Sequence, residues 1–341
     1  MNIVKVASFA FFMTMVLDAG AGFAQDKPPV SVDNFSRAET DVTMAAYVKE
    51  DSFGKFTHAR TPPSIDDQKI VRMNRDTLYS IGVFDLDAGP VAITLPDAGK
   101  RYMMAQVIDE DHYTHDISYA PGTKTYSREA IGTRYIVVII RTLVDPQSET
   151  DINEVHSLQD RIQVQQPSLG KFEVPNWDPV SQAKVRDALK ALGSTLQDSD
   201  KMFGTREETD PVRHLIGAAI GWGGNPKSAA VYLTASPKDE SGTKIEKIRV
   251  KDVPVDGFWS ISVYNGKGYF EKNDLNSYSI NNLTAKPESD GTVVVQFGEC
   301  NSSTPNCIPI MKDWNYTVRL YRPRPELSDG KWKFPEPELS N

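Results

Sequence analysis

The sequence predicts a mainly β protein with added helices, built as two sandwich or jelly-roll domains with a helical segment between them. Three observations lead there. A length of 341 residues favours two domains of ordinary size. Two regions, 91–144 and 229–323, are made of short runs rich in Val, Ile, Tyr and Phe, punctuated by Gly, Pro, Asp and Asn. Between them the apolar spacing changes to that of helices.

Taken in order, NFSRAETDVTMAAYVKE (34–50) places Ala38, Val42, Ala45 and Ala46 at helical spacing, with Asn34 as a cap. VAITLP (91–96) and RYMMAQVID (101–109) read as strands, and the DAGK turn between them predicts a hairpin. RYIVVIIRTLV (134–144) is β-branched and nearly continuous, the pattern of a buried strand. From Asp151 to Val164 the apolar residues Val155, Leu158 and Ile162 share a helix face. Asp178–Pro179 and Asp210–Pro211 each supply a cap followed by proline in the first turn, and the second of these helices is expected to end at Gly223–Gly224. Strands then return at 229–236, 244–250, 258–265, 292–298 and 315–323. In FWSISVYN the alternation puts Trp259, Ile261 and Val263 on one face, the expected core, and Ser260, Ser262 and Tyr264 on the other.

The first residues read as an export leader. Lys5 precedes the apolar run Val6–Leu17, small residues follow, and the sequence turns polar at Gln25, which suits cleavage after Ala24 or Ala21. The run is too short to span a bilayer, and no later segment is apolar enough to do so. The expectation is a periplasmic or secreted protein with no integral membrane segment after cleavage. A net charge of −8 without a basic run excludes a nucleic-acid footprint. The two cysteines, Cys300 and Cys307, flank a loop of Asn, Ser, Thr and Pro; in an oxidising compartment this reads as a disulfide, with free thiols as the alternative.

Two polar clusters flank the first strands. Arg72, Asn74, Arg75, Asp76 and Tyr79 combine donors, a carboxylate and a phenol, which suits a carboxylate, phosphate or sugar ligand and suits equally an Arg–Asp network that locks a domain together. Asp109, Asp111, His112 and His115 supply ligand types for a metal, against the plainer reading of a solvated strand end, and no established metal spacing is met. The hairpin brings His112 toward the first cluster, so Arg72, Asn74, Arg75, Asp76, Tyr79 and His112 form one candidate ligand pocket. His214, on an apolar helix, reads as a core histidine. No G-x-S-x-G, H-E-x-x-H or P-loop is present, and no residue pattern assigns a cofactor or an oligomeric state.

VRMNRDTLYS, LPDAGKRYMMAQVIDEDHY, KFEVPNWDPVSQ, DPVRHLIG, VPVDGFWSISVYN and WNYTVRLYRPRPE resemble, in order and over nearly all of the chain beyond the leader, the bacterial exported proteins that pair DUF1254 and DUF1214 domains. The resemblance implies two jelly-roll-like β-sandwich domains linked by a helical segment, divided here as a leader (1–24), an N-terminal β domain (25–170) and a C-terminal domain with a helical start (171–341). It implies no reaction. The shared N-x-D-T-x-Y core falls on Asn74, Asp76, Thr77 and Tyr79, which it marks as important. Two functional expectations stand: an exported protein that binds or processes a small polar or anionic ligand at the N-terminal cluster, or a non-catalytic envelope module. The first needs the cluster to converge in a concavity; the second buries it in ion pairs.

Overall fold

The β-branched run at Tyr135–Leu143 forms a strand in which every residue is buried, and this requires cover on both faces. The computed structural model, which describes residues 27–68 and 71–340, shows how that cover is built. The expected leader at 1–24 lies outside the described residues.

The first β unit contains β1 (Thr57–His58), β2 (Thr77–Asp85), β3 (Val91–Leu95), β4 (Met103–Asp109), β5 (Thr114–Tyr119), β6 (Gly122–Tyr126), β7 (Tyr135–Leu143) and β8 (Gln163–Gln165). They form a five-stranded sheet of order β1-β2-β7-β4-β5 and a three-stranded sheet of order β6-β3-β8. Phe84, Val107, Ile136, Val138 and Ile140 of the larger sheet pack on Val91, Ile93 and Leu95 of the smaller. The hairpin expected from 91–109 is therefore corrected: β3 pairs with β6 and β8, whereas β4 pairs with β5 and β7. The burial patterns give the reason. β3 alternates between buried and half-buried positions, as a strand covered on one face does, while β4 is buried throughout and needs a central place. The 97–100 turn carries the chain from one sheet to the other.

The other face of the larger sheet is covered partly by a helix and partly, at Met104 and Leu143, by the second β unit. α1 (Phe35–Lys49) sets Met44 against Val83, Ile108, Val137 and Ile139. Its Phe35 and Ala38 meet Leu189, Ile216 and Ala218 of two later helices. The short α2 (Arg128–Ile131) precedes β7, and α3 (Glu149–Asp160) starts at Ser148, whose side chain accepts from Asp151 N. α4 (Pro179–Gly193) and α5 (Pro211–Ile220) each begin with an aspartate that accepts two backbone N–H bonds and a proline in the first turn, as expected. α5 stops at Gly221, two residues before the expected end.

The second β unit contains β9 (Ala230–Ala235), β10 (Glu246–Val250), β11 (Trp259–Tyr264), β12 (Ser279–Asn281), β13 (Val293–Phe297), β14 (Cys307–Ile308), β15 (Asn315–Tyr321) and β16 (Glu338–Leu339), with α6 (Pro325–Ser328) after β15. Two four-stranded sheets, β14-β13-β10-β16 and β12-β11-β15-β9, enclose a core of Ile248, Val295, Phe297, Trp259, Ile261, Val263 and Val318. Trp259, Ile261 and Val263 thus face this core, as the alternation requires. The opposite face, carrying Ser260, Ser262, Tyr264 and Arg319, is also buried because it packs against the first unit. Cys300 and Cys307 form a disulfide.

Candidate functional site

The segment leading into β2 crosses the polar face of the second unit's sheet. Arg72 N donates to Gly268 O (2.8 Å), and the Arg72 guanidinium donates to Asn315 Oδ1. The carbonyls of Arg72 and Met73 accept from Arg319 Nη2 (2.9 Å) and Tyr264 Oη (2.8 Å), respectively. Asp76, fully buried, accepts from Asn281 Nδ2 (3.1 Å) and Ser279 Oγ (3.3 Å), while its second oxygen has no partner among the described residues. Arg319 makes no ion pair among the described residues; it is held by Ser262 Oγ (2.9 Å) and Tyr264 Oη (2.6 Å). Burial opposes the Arg319 charge, but Tyr264, Tyr321 and Asp76 outweigh it and raise the guanidinium above its usual pKa. Arg72 and Asp76 therefore join the two β units.

Asn74 and Tyr79 turn the other way. Asn74 Nδ2 reaches Thr77 Oγ1 (3.1 Å), Tyr321 Oη (3.2 Å) and Tyr79 Oη (3.5 Å). Opposite Tyr79 in the β2–β7 ladder stands Arg141, 6% exposed, with its guanidinium carbon 5.4 Å from the Tyr79 ring centre. Arg141 donates to Gln106 Oε1 (2.7 Å) and Gly223 O (2.8 Å) and has no carboxylate partner among the described residues. Tyr102, Tyr232 and Tyr321 complete the surround: Tyr321 lies 5.5 Å from Tyr102 and 6.2 Å from Tyr232, centre to centre. Burial would push the Tyr79 phenol up, but the Arg141 charge and hydrogen bonds from Asn74, Thr77 and Arg141 prevail and hold it below the usual phenol range. Burial instead pushes Tyr102, Tyr232 and Tyr321 up.

This cluster is rich in donors and poor in acceptors. Tyr79 and Tyr321 accept from Asn74, Tyr232 accepts from Asn225 (2.7 Å), and Tyr79 also bonds the Thr77 hydroxyl. Tyr102 Oη is buried with no partner among the described residues, as are Thr142 Oγ1 and Asn225 Oδ1. Arg141 donates to the neutral oxygens of Gln106 and Gly223 and to the Tyr79 phenol. An arrangement of this kind can receive an oxyanion.

The remaining sequence candidates are dispersed. Arg75 donates to Pro63 O and lies over the Tyr278 ring, lining a surface cleft of about 430 Å³. His112 is buried behind Arg141: its Nε2 accepts from Gly223 N (2.9 Å), the same residue whose carbonyl accepts from Arg141. Burial and the nearby His214 push the His112 imidazole down to about 3, so the ring is neutral with its proton on Nδ1. Asp109 Oδ1 accepts from the backbone of Asp111 and Tyr113 (both 2.9 Å), and its Oδ2 pairs with His115 Nε2 (2.8 Å). Asp111 turns to Arg37 (2.8 Å). Among the described residues no three of His, Cys, Asp and Glu are grouped as a metal site. His214 is buried, its nitrogens facing the carbonyls of Met202 and Asp111.

Sequence reasoning missed Arg141, Gln106, Tyr102, Tyr232 and Tyr321. Arg141 carried a signal: it is a charge inside a run of β-branched residues that had to be buried.

No curated protein matches the chain. In fold it is similar to the VPA0106 protein from Vibrio parahaemolyticus, with a TM-score of 0.70 at 17% identity, covering 91% of this chain and 98% of that one. A weaker likeness, TM-score 0.49 at 13% identity, extends over 91% of this chain and 86% of an uncharacterised protein from Burkholderia cenocepacia. Two domain families, each described as a protein of unknown function, match in sequence: DUF1254 over residues 53–131 and DUF1214 over 229–325. Asn74, Tyr79 and Tyr102 come from the first match and Tyr232, Arg319 and Tyr321 from the second, so the buried cluster lies where the two meet. The chain belongs to the proteins that pair a DUF1254 with a DUF1214 domain.

Proposed function

We propose that this protein binds a small oxyanion, such as a carboxylate, against Arg141 at the junction of its β units, and that it does so in the periplasm or after secretion. The observation that carries the reading is the unbalanced donor set. One buried guanidinium without a carboxylate partner lies among four phenols, and one of these, Tyr102, has a hydroxyl with no partner among the described residues. Burying such groups unpaired is unfavourable, and an anion with two or more oxygens would satisfy several at once. Tyr79, with its lowered pKa, is the phenol suited to give or take a proton from that ligand. The Cys300–Cys307 bridge and the leader-like start support an oxidising location.

Isothermal titration of residues 25–341 with acetate, succinate, phosphate and sulfate tests the site. At least one anion should bind, Arg141→Met should abolish binding, and Tyr79→Phe should weaken it at least about tenfold. Tyr126→Phe, whose hydroxyl bonds Asp116 instead, should bind as wild type does. Retained affinity in Arg141→Met, or no binding by any of the four anions, would sink the proposal. For the location, intact-mass analysis of natively expressed protein should show loss of about 21 to 24 residues, and a full-length product would contradict it.

A further inference from the structure

The cleft over Arg75 continues into a second groove of about 360 Å³, and the two share Pro146, Gln147, Leu275 and Ser279. Together they form an elongated channel. One wall is the 145–147 connection of the first β unit, a second is the 275–279 segment, and a third is the loop closed by the Cys300–Cys307 disulfide.

Its lining is unusual in kind. Gln147, Asn276, Ser279, Thr284, Asn301 and Ser303 are neutral side chains with both donors and acceptors. Pro146, Leu275 and Pro305 give small apolar faces among them. Arg75 and Lys286 are the cations of the lining, and neither has an ion-pair partner among the described residues. Asp145 is the carboxylate of the lining, and its Oδ1 is occupied by Gln147 N (2.9 Å).

The channel is held in shape from behind. Ser279 donates to the buried Asp76, so its lone pairs are free for the groove. Gln147 Nε2 donates to Asn276 O (3.1 Å), tying two walls together. Ser277 Oγ donates to Cys307 O (2.7 Å), and Asn306 pairs both ways with the Lys286 backbone (2.8 Å each).

We propose that this channel binds an acidic oligosaccharide. Neutral donors and acceptors with small apolar faces match the hydroxyls and C–H faces of linked sugar rings, and the two cations, neither in an ion pair among the described residues, match acid groups on them. A nucleic acid would need more cations; the edge strands β12 and β14 both reach the channel, so a peptide is the competing occupant that the titration must exclude. The channel is separate from the Arg141 cluster, and its variants differ, so either reading can fail alone.

The test is calorimetric titration of residues 25–341 with tri-galacturonate, with neutral galactotriose and with triglutamate. The acidic trisaccharide should bind at least about tenfold more tightly than the neutral one and than the peptide. Arg75→Gln should remove that tenfold preference and leave Arg141-dependent anion binding intact. Lys286 is exposed, so Lys286→Gln should fold normally and reduce the preference as well. Wild-type affinity in both variants, no binding of the acidic trisaccharide, or equal binding of triglutamate would overturn the proposal.

Discussion

Replacing Asp76 separates its two sequence-level readings, ligand contact or structural pair. The carboxylate is fully buried and accepts from Ser279 Oγ and Asn281 Nδ2 across the junction, and it lies near the charge of Arg319. Asp76→Ala removes the Oδ1 that accepts both bonds, orphans the buried Asn281 amide and the half-buried Ser279 hydroxyl, and takes away a counter-charge of the buried Arg319 guanidinium; this should destabilise by about 3–5 kcal/mol. Asp76→Asn keeps one oxygen that can still accept from both donors, so it should lose only the charge-assisted part. At roughly 1 kcal/mol for each of two bonds, that is about 2 kcal/mol. Both are large beside a total stability of roughly 5–15 kcal/mol. Guanidinium melts of the 25–341 protein, followed by tryptophan fluorescence and by far-UV circular dichroism, give the values. Because Asp76 joins the two units, the alanine variant should also separate the two probes' transitions. Midpoints for both variants within about 0.5 kcal/mol of wild type would refute the joining role.

Three further outcomes follow from particular contacts. Burial pushes the Asp41 carboxyl up to about 6, against the hydrogen bond from Trp177; the folded chain holds this proton longer than the unfolded one, so the stabilisation is complete below about pH 3.8 and is lost as pH rises through about 6. Asp41→Asn should therefore gain roughly 3 kcal/mol relative to wild type between about pH 3.5 and 7, and parallel melts with no such gain would refute the assignment. Replacing Cys300 and Cys307 by serine opens a loop with a sequence separation of only 7, so stability should fall by no more than about 2.5 kcal/mol, and thiol labelling of denatured, unreduced protein should find no free cysteine. A Cβ on Gly257 would stand 2.7 Å from Tyr321 O and 3.0 Å from the Tyr102 ring; Gly257→Ala should destabilise by about 1–3 kcal/mol, and an unchanged melting temperature would show that the junction yields there.

Local chemistry was legible in the sequence where it is decided locally. The β-branched run fixed β7, Asp–Pro pairs fixed the starts of α4 and α5, and alternation fixed the core face of β11. Partner choice was not legible. The 97–100 turn reverses the chain whether its strands pair or part, and only burial on one face or on both separates β3 from β4. β5 and β6 were missed because half-exposed, polar strands carry little apolar pattern. The site divides the same way. Asn74 and Tyr79 sit in one short motif, but Arg141, Tyr232 and Tyr321 reach them through pairings between distant segments, which no spacing records. One pocket for all six candidates was too simple: Arg72 and Asp76 face the second unit, Arg75 faces the surface, and His112 stands one peptide behind Arg141.

Arg319 finds two of its acceptors in the carbonyls of Arg72 and Met73, residues that precede it by 247 and 246 positions. Synthesis imposes an order on that contact. The strands through β8 leave the ribosome first and carry the residues of their own core, with residues 72–76 leading into β2. The second sandwich emerges afterwards, and its polar face is complete only against that segment. A DUF1214 half made without its partner would carry Arg319, buried in the whole chain, facing open water.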